Sequence, residues 1–421
     1  MSQTQPAFKL IRAARVIDGT GGAALERGAV LLEGDRIRAV GSEESISAPE
    51  GAPVEEFNYE NKTVIPGLVD CHVHLIGMGD GRAGDELTTL PDEVLTLQAA
   101  RNARTHLFSG VTTVRDCGAK NRTTFLLRQA MEMGITQGPR MVLAGRPVAI
   151  VGGHLSYFGV QATGPDECRA AVRQLIKEGA DYIKITATGG STRTSFALRP
   201  SFTVEELKAI CDEVHKFGKH AAAHCASSQG MSNVLEAGID TIIHAVHREP
   251  DGTSKFRPEI AERIARQGVF VNATLGGGRN RVVTLEKKMQ SEGLSEQEQE
   301  ELDRMRRGHE QRLEHFAKMR ELGVRMAAGS DSAWGKYKMG GFQHETDSHV
   351  AGGMTPMEAI IAATADSARS CWAQDSVGTL EAGKQADLVV VDGDPSQDIS
   401  ALWDVADIFL AGDRVDRGNF V

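Results

Sequence analysis

From Val64 to Asp331 the chain repeats one pattern: an amphipathic helical stretch, a glycine, then a short apolar strand. Thr203 and Glu206 have capping-box spacing, and Leu207, Ile210, Val214 and Phe217 follow at helical intervals. Gly218 stands at the C-cap position, before His220-Ala-Ala-Ala-His-Cys225. The same order returns in Met231–Ala237, Gly238, Thr241–His244, and in Pro258–Arg266, Gly268, Val269–Thr274. Counted from Val64, eight strands are each followed by a helix. Eight βα units in series predict an α/β fold, a (β/α)8 TIM-like barrel rather than an open doubly wound sheet. The charged stretch Leu285–Leu322, with a second capping box at Ser295 and Glu298, reads as a helical hairpin with a solvated face and no binding role. A third capping box, Thr355 and Glu358 with Pro356 between, opens the helix expected after strand eight.

The ends of the chain are different. Lys9–Ile17, Gly28–Glu33 and Arg36–Val40 are short strands, the last two joined at Gly34-Asp35, and Val377–Asp392 returns to glycine-punctuated strands. Such a unit cannot bury a core alone. We expect residues 1–63 and 372–421 to form a composite β-sandwich domain and residues 64–371 to form the barrel. A formal net charge of −10 argues against nucleic-acid and anionic-membrane partners. MSQTQPAFKL shows no apolar leader, and no run approaches the roughly 18 residues of a membrane span. The six cysteines lack short paired spacings, which suits buried thiols in a cytoplasmic protein.

In a parallel barrel all strands end at one face, so polar residues at those ends share one mouth. His72 and His74 alternate onto the same side of strand one. Lys184 lies near the end of strand four, His224 ends strand five, His244 ends strand six and Asp331 ends strand eight. Imidazole nitrogens and carboxylate oxygens suit divalent zinc, although manganese or cobalt fit the same donors. Ile183 and Ile185 flank Lys184, so Tyr182, Lys184 and Thr186 face the interior. A lysinium beside four imidazoles and two divalent cations is disfavoured. A neutral amine that adds carbon dioxide becomes a carbamate, an N6-carboxylysine, whose two oxygens can bridge two metals. Two ions with the carbamate, Asp331 and a bridging hydroxide leave a positive balance that acidifies that water and polarises a carbonyl. Asp331 can accept its proton and return it to a leaving amine.

Val64-Ile-Pro-Gly-Leu-Val-Asp-Cys-His-Val-His74, Ile183-Lys-Ile185, His224, His244, Gly329-Ser-Asp331 and Gly378-Thr-Leu-Glu-Ala-Gly-Lys-Gln-Ala-Asp-Leu-Val-Val390 together resemble the amidohydrolase superfamily over nearly the whole chain. The resemblance implies a barrel with a small β-sandwich from both termini. It implies that His72 and His74 bind one metal with Asp331, that His224 and His244 bind the second, and that carboxylated Lys184 bridges them. Gly152-Gly-His154 and Thr355-Pro-Met-Glu-Ala-Ile360 are most similar to the prolidase-like and Xaa-Arg/Lys dipeptidase branch. In that branch the histidine after strand three contacts substrate, which gives His154 the role of polarising the scissile carbonyl. Relatives carry a tyrosine near the strand-six histidine, where this chain has His247 as an alternative donor. The expected substrate is a dipeptide or N-acyl amino acid, its carboxylate held by a cation such as Arg199 or Arg248, with Tyr337 beside them. Arg193, Arg279, Arg281, Lys336 and Lys338 are further candidates. Two other readings stand beside the binuclear hydrolase. A mononuclear imidazolonepropionase- or deaminase-like enzyme lacks the bridging lysine, and a non-catalytic scaffold of the same fold has lost its metals. The resemblance is compatible with a homo-oligomer, which no residue pattern shows.

Overall fold

The computed structural model describes residues 8–418. Most of the N-terminal stretch read above for a leader therefore lies outside the described residues. No helix among the described residues is long and apolar enough to cross a membrane.

Eight parallel strands form the barrel: Leu68–Val73, Val111–Asp116, Arg140–Leu143, Ile183–Thr186, Ala221–His224, Thr241–Ile243, Phe270–Asn272 and Arg325–Met326, here strands one to eight. Asp181 N donates to Leu143 O at 2.8 Å and joins strand three to strand four. Cys71 N to Ala328 O at 3.0 Å and Asp331 N to His72 O at 2.8 Å close strand eight onto strand one. The alternation inferred for strand four holds. Ile183 and Ile185 pack in the main cluster with the helices, and Tyr182 packs inside with Cys117, Ala144, Ala222 and Ile243. Ala222 matters here because its small side chain faces the barrel interior, where it leaves room for the Tyr182 ring.

All three capping boxes form, with both side-chain and backbone halves present. Two differences from the sequence reading bear on the site. A helix at Gln343–Ala351 precedes the Thr355-capped helix after strand eight. The hairpin after strand seven, Gly276–Ser291 and Glu296–Glu321, is also more than a solvated face. Arg281–Glu301 and Arg306–Glu286 tie its helices together, both at 2.6 Å, and its second helix buries Leu302, Phe316 and Met319. Charge dominates that helix in composition, but one stripe of it packs against the barrel.

The termini build one β-rich domain on a continuous seven-stranded sheet, whose Ile11, Val30, Ile37, Leu388 and Phe409 share one apolar core. Its central strand, Val54–Pro66, pairs in parallel with Phe8–Val16 and antiparallel with Leu388–Asp392. Thirteen residues are long enough to serve both neighbours, which is how the two ends of the chain become one β-rich domain. Glu33 pairs with Arg36 across the Gly34-Asp35 turn, where Gly34 takes a φ of 58° that a β-carbon would strain. Barrel and sheet are fastened by Arg140 at the start of strand three. Its guanidinium donates to both carboxylate oxygens of Asp387, at 2.6 and 3.1 Å, and Asp387 also accepts from Ala411 N at 2.8 Å. Asp387 is buried while Arg140 is a third exposed. Asp387→Ala should therefore lower stability by roughly 1–3 kcal/mol, the range for charged hydrogen bonds discounted for solvent. Thermal unfolding checks this; an unchanged Tm would mean the ion pair does not fasten the two domains.

Candidate metal centre

The mouth of the barrel holds a cavity of about 270 Å3 lined by His72, His74, His154, Lys184, His224, His244 and Asp331, with Arg312 and Trp334 at its walls. Seven residues singled out from sequence thus converge. His72 Nε2 and His74 Nε2 are 3.3 Å apart, and Asp331 Oδ1 lies 3.4 and 3.5 Å from them. A tetrahedral ion with bonds of about 2.1 Å spaces its ligand atoms about 3.4 Å apart, so this triangle is the size of a coordination face. His72, His244 and Asp331 likewise offer ligand atoms all within 4.8 Å of one another.

The opposite ring nitrogens are held from behind. His72 Nδ1 faces Asn272 Oδ1 at 3.2 Å, and His74 Nδ1 faces Gly118 O at 3.3 Å. Both are acceptors, which puts the proton on Nδ1 and leaves the Nε2 lone pair for a cation. His244 Nδ1 meets the Thr274 hydroxyl at 2.7 Å, leaving its Nε2 free. His224 reverses the pattern, with Nε2 against Gly189 O at 2.9 Å and Nδ1 free. His224 lies between His244 and His154, each at a ring-centroid distance of 4.5 Å. Burial, and next Lys184, hold His72 well below the ordinary imidazole range and His74 at about 3. Burial likewise depresses His224 and His244. Neutral imidazole is the ligating form.

Lys184 is 1% exposed and, among the described residues, makes no ion pair. Burial lowers its pKa, opposed by Cys117 and Asp331. Burial raises Asp331 to about 7, opposed by Lys184. His244 and Asp331 carry φ values of 67° and 59°. Left-handed backbone at a non-glycine residue costs on the order of 1–3 kcal/mol, and it turns both side chains across the strand ends. The thiols of Cys71, Cys117 and Cys225 are raised by burial, so the donor set is nitrogen and oxygen.

His154 sits after strand three with Nδ1 at 3.1 Å from the Thr192 hydroxyl. Its ring lies on Gly190, where a β-carbon would come within 2.7 Å of it. Burial and Lys184 hold it at about 3, so at neutral pH it is an uncharged imidazole with one N–H to give.

Other candidates are placed elsewhere. His247 is buried against Phe256 and His315 and does not line the cavity; its Nδ1 accepts from Arg257 N at 3.0 Å. Arg199 lies over the Phe196 ring, away from the cavity. Arg248 lines an adjoining pocket, and Tyr337 lines a third, where its hydroxyl donates to Gly341 O. Arg193, Arg279 and Arg281 are paired with Asp85, Asp347 and Glu301.

Two residues escaped the sequence reading. Arg312, from the charged hairpin, lines the cavity and donates from Nη2 to Ala273 O and, at 3.2 Å, to His244 O. Its signal was present: Leu302, Met305, His309, Arg312, Phe316 and Met319 follow one helical stripe. The second is Asp70, fully buried two residues before His72. It accepts from His72 N at 3.1 Å, Ser330 N at 2.9 Å, His106 Nε2 at 2.9 Å and the Ser330 hydroxyl. A carboxylate in the middle of a buried strand is itself the signal.

A closed parallel barrel with imidazole, carboxylate and lysine side chains at its strand ends defines the metal-dependent barrel hydrolases as a class. The sequence profile of the Amidohydrolase family matches residues 63–415, and the chain belongs to that family. It is a hydrolase acting on carbon–nitrogen bonds of the amide type, in a family that generally uses divalent metals. Ochratoxinase of Aspergillus niger is 28% identical over 406 residues, 89% of this chain and 80% of that protein. Imidazolonepropionase of Rhizobium rhizogenes is 24% identical over 423 residues, 91% of this chain and 92% of that protein. A crystal structure of a Xaa-Pro dipeptidase with methionine in its active site superposes with a TM-score of 0.80 at 29% identity, covering 97% of this chain and all of that one.

Asp70→Asn replaces an acceptor by a donor against Ser330 N or His106 Nε2. It should weaken metal binding about 10- to 100-fold, as lost support behind metal ligands does. Competition with a chromogenic chelator measures it; wild-type affinity would show that Asp70 only packs.

Proposed function

We propose that this chain hydrolyses the amide bond of small substrates bearing a carboxylate on the leaving side, dipeptides or N-acyl amino acids, with two divalent ions, most simply zinc, bridged by carboxylated Lys184. The observation that carries the reading is Lys184 itself: a buried amine, without an ion pair among the described residues, at the centre of four histidines and Asp331. As a carbamate it would bring the negative charge that the cavity otherwise draws only from Asp331. His72, His74 and Asp331 would hold one ion and His224 and His244 the other.

When bound, the ions supply Lewis-acid polarisation and a water acidified toward neutrality. The chain does the rest. Neutral His154, oriented by Thr192, donates a hydrogen bond to the scissile carbonyl oxygen and steadies the charge that builds there. Asp331, with Oδ1 turned to His72 and His74, takes the water proton on Oδ2 and passes it to the leaving nitrogen. Hydroxyl is added to the acyl carbon and a proton to the amine, so the products are a carboxylic acid and a free amine. Trp334, whose ring lies 4.9 Å from that of His74, shields the cavity from solvent.

The similarity to a Xaa-Pro dipeptidase supports the dipeptide substrate, and the similarity to ochratoxinase supports amide hydrolysis more broadly. Imidazolonepropionase similarity favours the mononuclear alternative, against which Lys184 stands. Protein prepared in 13C-bicarbonate should show a carbamate carbon resonance that Lys184→Ala lacks, and that variant should lose one ion and at least about 10³-fold in kcat, the scale of a lost key electrostatic group. No resonance in the metal-loaded wild type would overturn the bridging carbamate.

A further inference from the structure

A second pocket, of about 350 Å3, opens beside the metal cavity and shares His244, Val246 and Arg312 with it. Its floor is apolar, formed in part by Leu275, Met305 and Met319. Its charged lining is of one sign. Arg248, Arg304 and Arg312 line it, and no aspartate or glutamate does, in a chain whose formal net charge is −10. Among the described residues none of these three arginines is in an ion pair, whereas Arg257, Arg279, Arg281 and Arg306 nearby are all paired. The acids whose fields reach Arg312 face elsewhere: Asp331 lines the metal cavity, and Glu345 accepts from Gly276 N through Oε2 at 2.5 Å with its Oε1 3.4 Å from His349 Nε2. Arg312 Nη2 is held by two backbone carbonyls, which fixes the guanidinium at the junction of the two spaces, and among the described residues its other edge has no hydrogen-bond partner. His309 and His315 also line the pocket, with burial and Arg312 keeping His309 at about 4, so both the rings and the methionines are uncharged surface.

We propose that Arg312 binds the carboxylate of the leaving residue and that the pocket behind it selects residues with an acidic side chain, so that the preferred substrates are amides of glutamate or aspartate. The proposal rests on the amide-hydrolase reading above and narrows it. A leaving nitrogen released beside His244 and Asp331 sets its α-carboxylate against the junction guanidinium, where a planar fork suits it. The side chain then runs over Met305 toward Arg248 and Arg304, both exposed at the rim. Charge at the rim discriminates moderately, because water screens it; the partly buried junction discriminates more. A cationic side chain meets three like charges and no acid, so rejection of lysine and arginine is built in alongside attraction of acids.

The test uses the metal-loaded enzyme on Ala-Glu, Ala-Leu, Ala-Lys and Ala-Leu-amide. The expected order of kcat/KM is Glu, Leu, Lys, with at least tenfold between the first and last. Carboxylate should be preferred over carboxamide by roughly 10- to 100-fold. Arg312→Ala should bring that carboxylate preference to within about threefold, chiefly through KM, and Arg312→Lys should restore part of it. A merely structural role for Arg312 would lower rates on all substrates and leave the preference standing. Arg248→Ala with Arg304→Ala should reduce the Glu-to-Lys ratio. Preference for the lysyl substrate, or full carboxylate preference in Arg312→Ala, overturns the proposal. If the wild type cleaves no amide, the hydrolase reading fails separately. Calorimetric titration of the same protein with free glutamate and free lysine then decides the pocket: glutamate binding that Arg312→Ala abolishes supports it, and no glutamate binding overturns it.

Discussion

The Asp70 carboxylate is the fixed point of this molecule. A wholly buried anion is tolerated only when its lone pairs are filled, and Asp70 fills them from three directions. His72 N comes from its own strand, Ser330 from the turn after strand eight, and His106 from the helix after strand one. Those are the partners that must be aligned if the first and last strands of the barrel are to meet. Ser330 is next to Asp331, and His72 is two residues from Asp70, so one carboxylate registers two of the three atoms in the 3.3–3.5 Å triangle. Closure of the fold and preorganisation of the site are the same set of hydrogen bonds.

Around that point the barrel spends conformational strain where the chemistry is. Left-handed φ at His244 and Asp331 bends the chain off strands six and eight, and Thr274, at a φ of 50°, does the same after strand seven. Thr274 then receives His244 Nδ1. The four rings are held from behind, by Asn272, Gly118, Thr274 and Gly189. A cluster of four neutral imidazoles and a lysine gains little from its own contacts. It persists because the barrel imposes it, and ions or substrate would relieve it.

The ligand candidates were legible because a parallel barrel converts position along a strand into a place in space. His72, His74, Lys184, His224, His244 and Asp331 needed only correct strand ends to be brought together. The strand alternation around Lys184 and the three capping boxes were legible for the same local reason. What sequence did not disclose depends on tertiary placement. The stripe Leu302–Met319 is visible in the sequence, but only its packing against the barrel shows which space Arg312 enters, and only the fold of the loop after strand four puts Arg199 over Phe196 and away from the cavity. His247 shows the converse. Three residues past His244 it looks like a donor, but the chain turns after strand six and buries it against Phe256 and His315. Asp70 was visible inside the motif, although its partners come from 36 and 260 residues away.

The central claim is a centre that works only as a pair of ions across Lys184. Zinc added stepwise to chelated enzyme, with bound metal per chain and amide hydrolysis followed in the same samples, addresses it most directly. The account predicts that activity stays near baseline up to one ion per chain and rises as the second is bound. Full activity reached at one ion per chain would contradict it.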